Sequence, residues 1–491
     1  MSTRRLMISR RHQPSGRHLS TCCSRTDKVG IMGVALRVMM CMAFALVSMN
    51  YLIVNENLGL LSGYKHNVQD NTSTSTESSH NKYMEKVYEQ GEVYAVREII
   101  SDPENLHVNR SGLQMLSSLY KHLPDITSQY SSVSPQLMDL VTKLKLDITR
   151  RGVTDDPWGL AYNWTKAETL IPESAPGLGD VLAALSTAPI TSADIGHGGT
   201  QLKLFIRLKG GQSAVFKPSR YSRNRLITGL NSGFDRHNGE IAAFHLSRLL
   251  GLQMVPITVG RNVSLKREIL PVSMKRLRET FFRGREGQTC FYGVCRSCMK
   301  RNGLCDQQHG LEGTVMTWLP RDVSLAEIQH PWKRSYDNRR LANWEKRETY
   351  CEEVLSSSHA PRLLHLMDAA VFDFLIQNGD RHHYVSVKGA PDSPVILLDN
   401  GKSFGDAYVD YMDMLAPVLQ CCRLHRSTYE RLVLLSGGGM SLALQELLAL
   451  DPVAPVLTEA HLHAMDRRVK HILAALSACR EKKGGWHNVL F

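Results

Sequence analysis

A chain of 491 residues with 43% hydrophobic and 22% charged side chains can bury one large or two ordinary cores, which excludes disorder throughout. Its formal charge of +12 invites a nucleic-acid reading, but eight Lys/Arg stand among residues 1–37 against the single acid Asp27. The remainder carries only about +5, so the basic excess lies beside an apolar segment rather than on a folded surface, and no nucleic-acid partner is expected.

In chain order, residues 1–30 read as a cytoplasmic tail and 31–54 as a transmembrane anchor, apolar apart from Arg37 and Asn50. Arg37 can snorkel to the headgroups, and the basic flank before the span predicts a type II orientation. A cleaved signal peptide is the rival reading, and both put the bulk of the chain outside the cytosol. Sequons at Asn71, Asn109, Asn163 and Asn262 fit that compartment. So does the even number of cysteines after the anchor: Cys290, Cys295, Cys298, Cys305, Cys351, Cys421, Cys422 and Cys479. Four disulfides are expected there, although the spacing of Cys290 to Cys305 also suits a four-thiolate zinc site. Cys421 and Cys422 are adjacent and each is expected to bond elsewhere.

Residues 55–81 hold a polar run, Asp70–His80, that reads as a stem. Residues 82–154 show helical periodicity, for instance Leu137, Leu140, Val141 and Leu144, and read as an extension packed on the main domain at 155–491. There, Thr200–Leu208 alternates in polarity and Gly210-Gly211 supplies a turn into Ser213–Lys217, a β-hairpin. Helices are predicted over Asn238–Leu250 and Arg362–Gln377, and a short strand over Val395–Leu398. Strands come early and helices late, so the fold class is α+β with two lobes around a cleft.

Several residues could carry chemistry. Lys217 ends a strand behind the glycine-containing stretch 196–200, a position suited to holding triphosphate oxygens. Glu240 opens the helix begun near Asp235, where an acid ordinarily caps. Asp380 follows a helix stop in Asp380-Arg381-His382-His383-Tyr384, and Asp399 follows the 395–398 strand. One aspartate to orient a hydroxyl and another to hold a metal on phosphates is the division of labour in kinases. Adjacent His382 and His383 are poorly placed to share one zinc ion.

At DRHHY and LLDNGKSFG the chain resembles the family-with-sequence-similarity-twenty secretory-pathway kinases. DDPW, GGQSAVFKP, RHNGEIAAFHLSRLLG, EGTVMTWLP, LAPVLQCC and DPVAPVL extend the likeness from about Asp155 to Cys479. The resemblance implies an atypical two-lobed kinase fold and a Golgi-lumenal enzyme, anchored or secreted after cleavage, using ATP and Mn²⁺. It implies that Gln201, Lys217 and Met316, Thr317, Trp318 and Leu319 contact ATP, that Glu240 and Asp399 bind manganese, and that Asp380 is the catalytic base. It also implies the pairs Cys290–Cys305, Cys295–Cys298, Cys351–Cys421 and Cys422–Cys479. Within the family the motifs lean toward members that phosphorylate the 2-hydroxyl of xylose in the proteoglycan linkage region. Gly401 and the CCRLHRSTY stretch look more like a protein-kinase member that prefers Ser-x-Glu sites. A homo- or hetero-dimer is compatible with either. One position departs from the pattern: Val385 replaces a glutamate near the nucleotide, which keeps an inactive pseudokinase as a second class of reading.

Overall fold

Leu137, Val141, Leu144 and Ile148 recur at three- and four-residue steps, which puts them on one stripe of a helix, and all four are buried. That helix is α2 (Pro135–Thr149), preceded by α1 (Arg110–Gln129) and followed by the short α3 (Pro157–Trp164) and by α4 (Leu178–Thr187). The computed structural model describes residues 110–491 apart from 197–198, 230–231 and 335–340, with side chains from Ser117 onward. The expected tail, anchor and stem, the first part of the extension, and Asn71 and Asn109 lie outside the described residues. Among those described, no helix is long and apolar enough to cross a membrane.

The hairpin expected around Gly210-Gly211 forms, with both glycines at positive φ. Its strands join a five-stranded antiparallel sheet made of β1 (Ile190–Ile195), β2 (Leu204–Leu208), β3 (Ser213–Pro218), β4 (Thr258–Val263) and β8 (Leu311–Thr317), in the order β1-β2-β3-β8-β4. β2 is shorter than the predicted Thr200–Leu208, because its pairing with β3 begins only at Leu204. Leu204, Ile206 and Leu208 nevertheless alternate into the core as expected. Helix α5 (His237–Leu249) packs against β4 and β8, and the Arg248–Asp147 ion pair at 2.6 Å ties it to α2.

A small sheet of β5 (Phe281–Arg283), β6 (Thr289–Phe291) and β7 (Leu304–Cys305) carries the Cys290–Cys305 bridge between paired positions, with Cys295–Cys298 in the loop between. The zinc alternative for these cysteines is thereby set aside. Cys351–Cys421 and Cys422–Cys479 complete the four implied pairs.

The second lobe is helical. Its central α6 (Leu363–Ile376) is buried on nearly every side and stops where Gln377 turns left-handed. The ribbon of β9 (Leu325–Gln329) and β10 (His383–Val387) lies beside the 377–382 loop, followed by α7 (Arg426–Leu434), α8 (Gly439–Leu448) and the 25-residue α9 (Glu459–Lys483). Helix α1 packs along α9, burying Leu119 and Ile126. The predicted Val395–Leu398 strand is reduced to a single bridge, Ile396 to Val385. Leu397 donates its amide to Met254 O instead, and Asp399 leaves the extended region at φ 58°, so no ladder can continue.

Candidate active site

Lys217 leaves the end of β3 almost fully buried, and its Nζ lies 2.6 Å from Glu240 Oε1, 2.6 Å from Asp399 Oδ1 and 3.4 Å from Asp235 Oδ2. Burial alone would lower the lysine pKa, but Asp399, Glu240 and Asp235 outweigh it and hold the ammonium well above its ordinary value. In return Lys217 is the main cause that brings Asp399 down to about 2, with Lys203 and Arg381 contributing.

Glu240 is not a solvent-facing cap. It is fully buried in the first turn of α5, and both its oxygens accept from the Asn400 amide at 3.1 Å. Three carboxylates thus gather around Lys217, and even with Lys402 Nζ 3.9 Å from Asp235 Oδ1 they outnumber the ammonium groups and leave surplus negative charge. A hard, all-oxygen donor set of that sign fits Mn²⁺ or Mg²⁺, and the Asp399 side chain, 72% exposed, opens to the cleft where phosphates would approach. Glu240 and Asp399, the pair that the resemblance implies for manganese, both reach Lys217 Nζ at 2.6 Å and could share such an ion.

Asp380 stands in the loop after α6, its amide donating to Asn378 Oδ1 at 3.3 Å and its Oδ1 3.0 Å from His382 Nε2. The loop is fixed by Arg381. Its guanidinium is bidentate on Asp373, at 2.5 and 2.8 Å, and also donates to Leu398 O at 2.7 Å and Asn400 Oδ1 at 2.9 Å. One buried cation therefore joins α6, the Asp380 loop and the Asp399 loop. Asn378 Nδ2 donates to Asp399 O at 3.3 Å, which helps hold Asp399 in its left-handed conformation, a strain typical of a functional position.

Sequence reasoning missed Asp235, Asp373, Arg381 and Asn400. Asp373 had left a signal, since an acid inside the apolar run of α6 is hard to bury without a partner cation. Arg381 and Asn400 adjoin the two chosen aspartates and could have been inferred as their supports.

Of the expected nucleotide contacts, Gln201 is half-buried just ahead of β2, and Met316 is buried on β8 in register with Val215 of β3. Thr317, Trp318 and Leu319 line a cavity of about 550 Å³ with Phe205, Arg207 and Asp322, and neither Lys217 nor Asp399 borders it. Trp318 meets Phe205 edge-on at 5.2 Å, and its amide donates to Ser213 O at 2.9 Å. Val385 sits mid-way along β10, directly opposite Glu327. His382 faces Asp380 whereas His383 faces Glu327 at 3.5 Å, so the two rings diverge. Of the described sequons, Asn163 is exposed on α3 and Asn262 on edge strand β4.

Comparison with known proteins bears directly on this geometry. The family model described as Golgi casein kinase, C-terminal, Fam20 matches residues 156–488. A human protein named glycosaminoglycan xylosylkinase is 44% identical over 347 residues, spanning 69% of this chain and 83% of that protein. A solved structure of hydra Fam20 with sugar superposes at a TM-score of 0.66 with 42% identity, covering 68% of this chain and 98% of the other. The Golgi casein kinase with Mn/ADP bound gives a TM-score of 0.64 at 31% identity, over 71% and 88% of the respective chains.

Proposed function

This chain belongs to the Fam20 family of kinases, and from that premise we propose that it phosphorylates the 2-hydroxyl of xylose in the glycosaminoglycan–protein linkage region of proteoglycans. The chain is a phosphotransferase that uses ATP with manganese, and the bound nucleotide supplies the electrophilic phosphorus. Asp235, Glu240 and Asp399 provide the negative charge that fixes the ion, Lys217 steadies Asp399 and is placed to meet phosphate oxygens, and Asp380 accepts the hydroxyl proton. The observation that carries this reading is the convergence of Glu240 and Asp399 on Lys217, with Arg381 bracing the Asp380 loop against the Asp399 loop.

A sugar acceptor is supported by the human relative's name and by the hydra protein solved with sugar. The Golgi casein kinase likeness favours a protein serine as the second reading. The full chain, given ATP and Mn²⁺, should label a galactosyl-xyloside and leave a Ser-x-Glu peptide nearly unlabelled; the reverse pattern replaces the sugar with the peptide. We place the enzyme in the Golgi lumen, held by 31–54 as a type II anchor, stemmed by 55–81 and glycosylated at its four sequons. The basic first 37 residues and the four disulfides support that placement.

A further inference from the structure

Away from the catalytic cleft, α6 presents His365 and Asp368 three residues apart, on one face of the helix. His425, at the start of α7, meets them from the segment that follows Cys422. One ligand atom from each of the three side chains can be chosen so that all lie within 4.8 Å of one another. His425 Nδ1 is 2.5 Å from Asp368 Oδ2, and the two imidazole rings are 4.8 Å apart between centroids.

We propose that His365, Asp368 and His425 form a second metal site, selective for Zn²⁺, that is structural rather than catalytic. Two imidazoles and one carboxylate are the borderline donor set that zinc prefers, whereas the cleft offers only hard carboxylates. Zinc bonds of about 2.1 Å would set the ligand atoms roughly 3.4 Å apart, which small rotations of these side chains reach.

A hydrogen bond between His425 and Asp368 explains only part of the arrangement. Asp368 is 6% exposed, yet its Oδ1 has no hydrogen-bond partner among the described residues, an orphaned acceptor that calls for a ligand. His365 adds a second imidazole; one of its ring nitrogens bonds the Asp392 backbone, the kind of outer contact that orients a ligating histidine, and the other is left for a ligand. All three side chains border a cavity of about 250 Å³, room for the water that would complete four-coordination, and Leu397 forms part of its wall two residues before Asp399. Bound zinc would pin the N-terminal half of α6, the helix that carries Asp373 and leads into the Asp380 loop, to a segment already anchored by Cys351–Cys421 and Cys422–Cys479.

The test uses the tag-free full chain, stripped with a chelator, supplied with Mn²⁺ and ATP to fill the cleft, and dialysed against Zn²⁺. Elemental analysis should find one zinc per chain in the wild type and in Asp399→Ala, and none in the double variant His365→Gln/His425→Gln. The melting temperature of the wild type should rise with zinc and that of the double variant should not. If the double variant does not fold, His365→Gln alone, at a half-buried position, should weaken zinc binding at least tenfold. A wild type that retains no zinc, or a folded variant that binds it as well as the wild type, overturns the proposal.

Discussion

Lys217 Nζ stands 2.6 Å from Asp399 Oδ1, an ion pair that joins the end of β3 in the five-stranded sheet to the loop that follows the 395–398 segment. Lys217 brings Asp399 down to about 2, so the carboxylate is ionised across any physiological range.

Removing that carboxylate and removing the proposed base should be separable. Asp399→Ala should lower turnover by at least about 10²–10³-fold, the scale of one lost preorganised charge contact, and should abolish the thermal shift produced by Mn²⁺ and ATP. Asp380→Ala should lower turnover by roughly 10²–10⁴-fold and keep the thermal shift. Near-normal turnover in Asp399→Ala, or a lost shift in Asp380→Ala, would exchange or dismiss these roles.

Arg381 acts through its neighbours. Arg381→Lys keeps the charge but loses the bidentate fork on Asp373 and the reach to both Leu398 O and Asn400 Oδ1. Because the buried Asp373 keeps an opposite charge but loses a hydrogen bond of the fork, the variant should lose roughly 1–3 kcal/mol of stability, with kcat falling more than KM for ATP rises. A change confined to KM would mean that the clamp orients the nucleotide rather than the Asp380 loop.

Stability should fall in mild acid. His245 and His330 are held down to about 3 and His461 to about 4, each chiefly by burial and secondarily by nearby cations such as Arg248, Arg381 and Arg468. These groups stay neutral in the fold, whereas the unfolded chain protonates them near 6.5, so the unfolded state binds more protons below that pH. Their contribution is complete above about 6.5 and is lost as pH falls toward 3–4. Each unit of pH below 6.5 should cost roughly 1 kcal/mol per histidine. Melting temperatures recorded from pH 7.5 to 5 should decline, and less steeply in His461→Gln.

The sequence made the hairpin, α5, α6 and the four cysteine pairs legible for different reasons. Alternation and a glycine pair mark the hairpin locally, and apolar periodicity with a stop marks the helices. The cysteine pairing came only through resemblance, because spacing leaves many connectivities open. Glu240 looked like an ordinary cap because one-dimensional pattern cannot show that Lys217 and Asn400, 23 and 160 residues away along the chain, close over it. For the same reason the strand at 395–398 was overdrawn: its apolar run is real, but its amides go to Val385 and Met254 rather than to one ladder. The His365, Asp368 and His425 grouping spans 60 residues and has no local signature.

Val385 gives the last prediction. In β10, Tyr384 and Ser386 turn inward and are buried, so His383, Val385 and Val387 share the opposite face, with Glu327 directly across from Val385. His383 Nδ1 lies 3.5 Å from Glu327 Oε1 on that same face. The family glutamate placed here by Val385→Glu would oppose Glu327, and like charges at paired strand positions cost about 0.2–1 kcal/mol. The carboxylates that fit the metal, Asp235, Glu240 and Asp399, are in place without it, as is the proposed base Asp380. Val385→Glu should therefore lower the melting temperature slightly, leave turnover within about tenfold, and regain its stability in the double variant with Glu327→Gln. Should Val385→Glu instead raise nucleotide affinity tenfold or more, the valine marks a weakened ATP site, and the natural chain belongs with the family's pseudokinases in function as well as in fold.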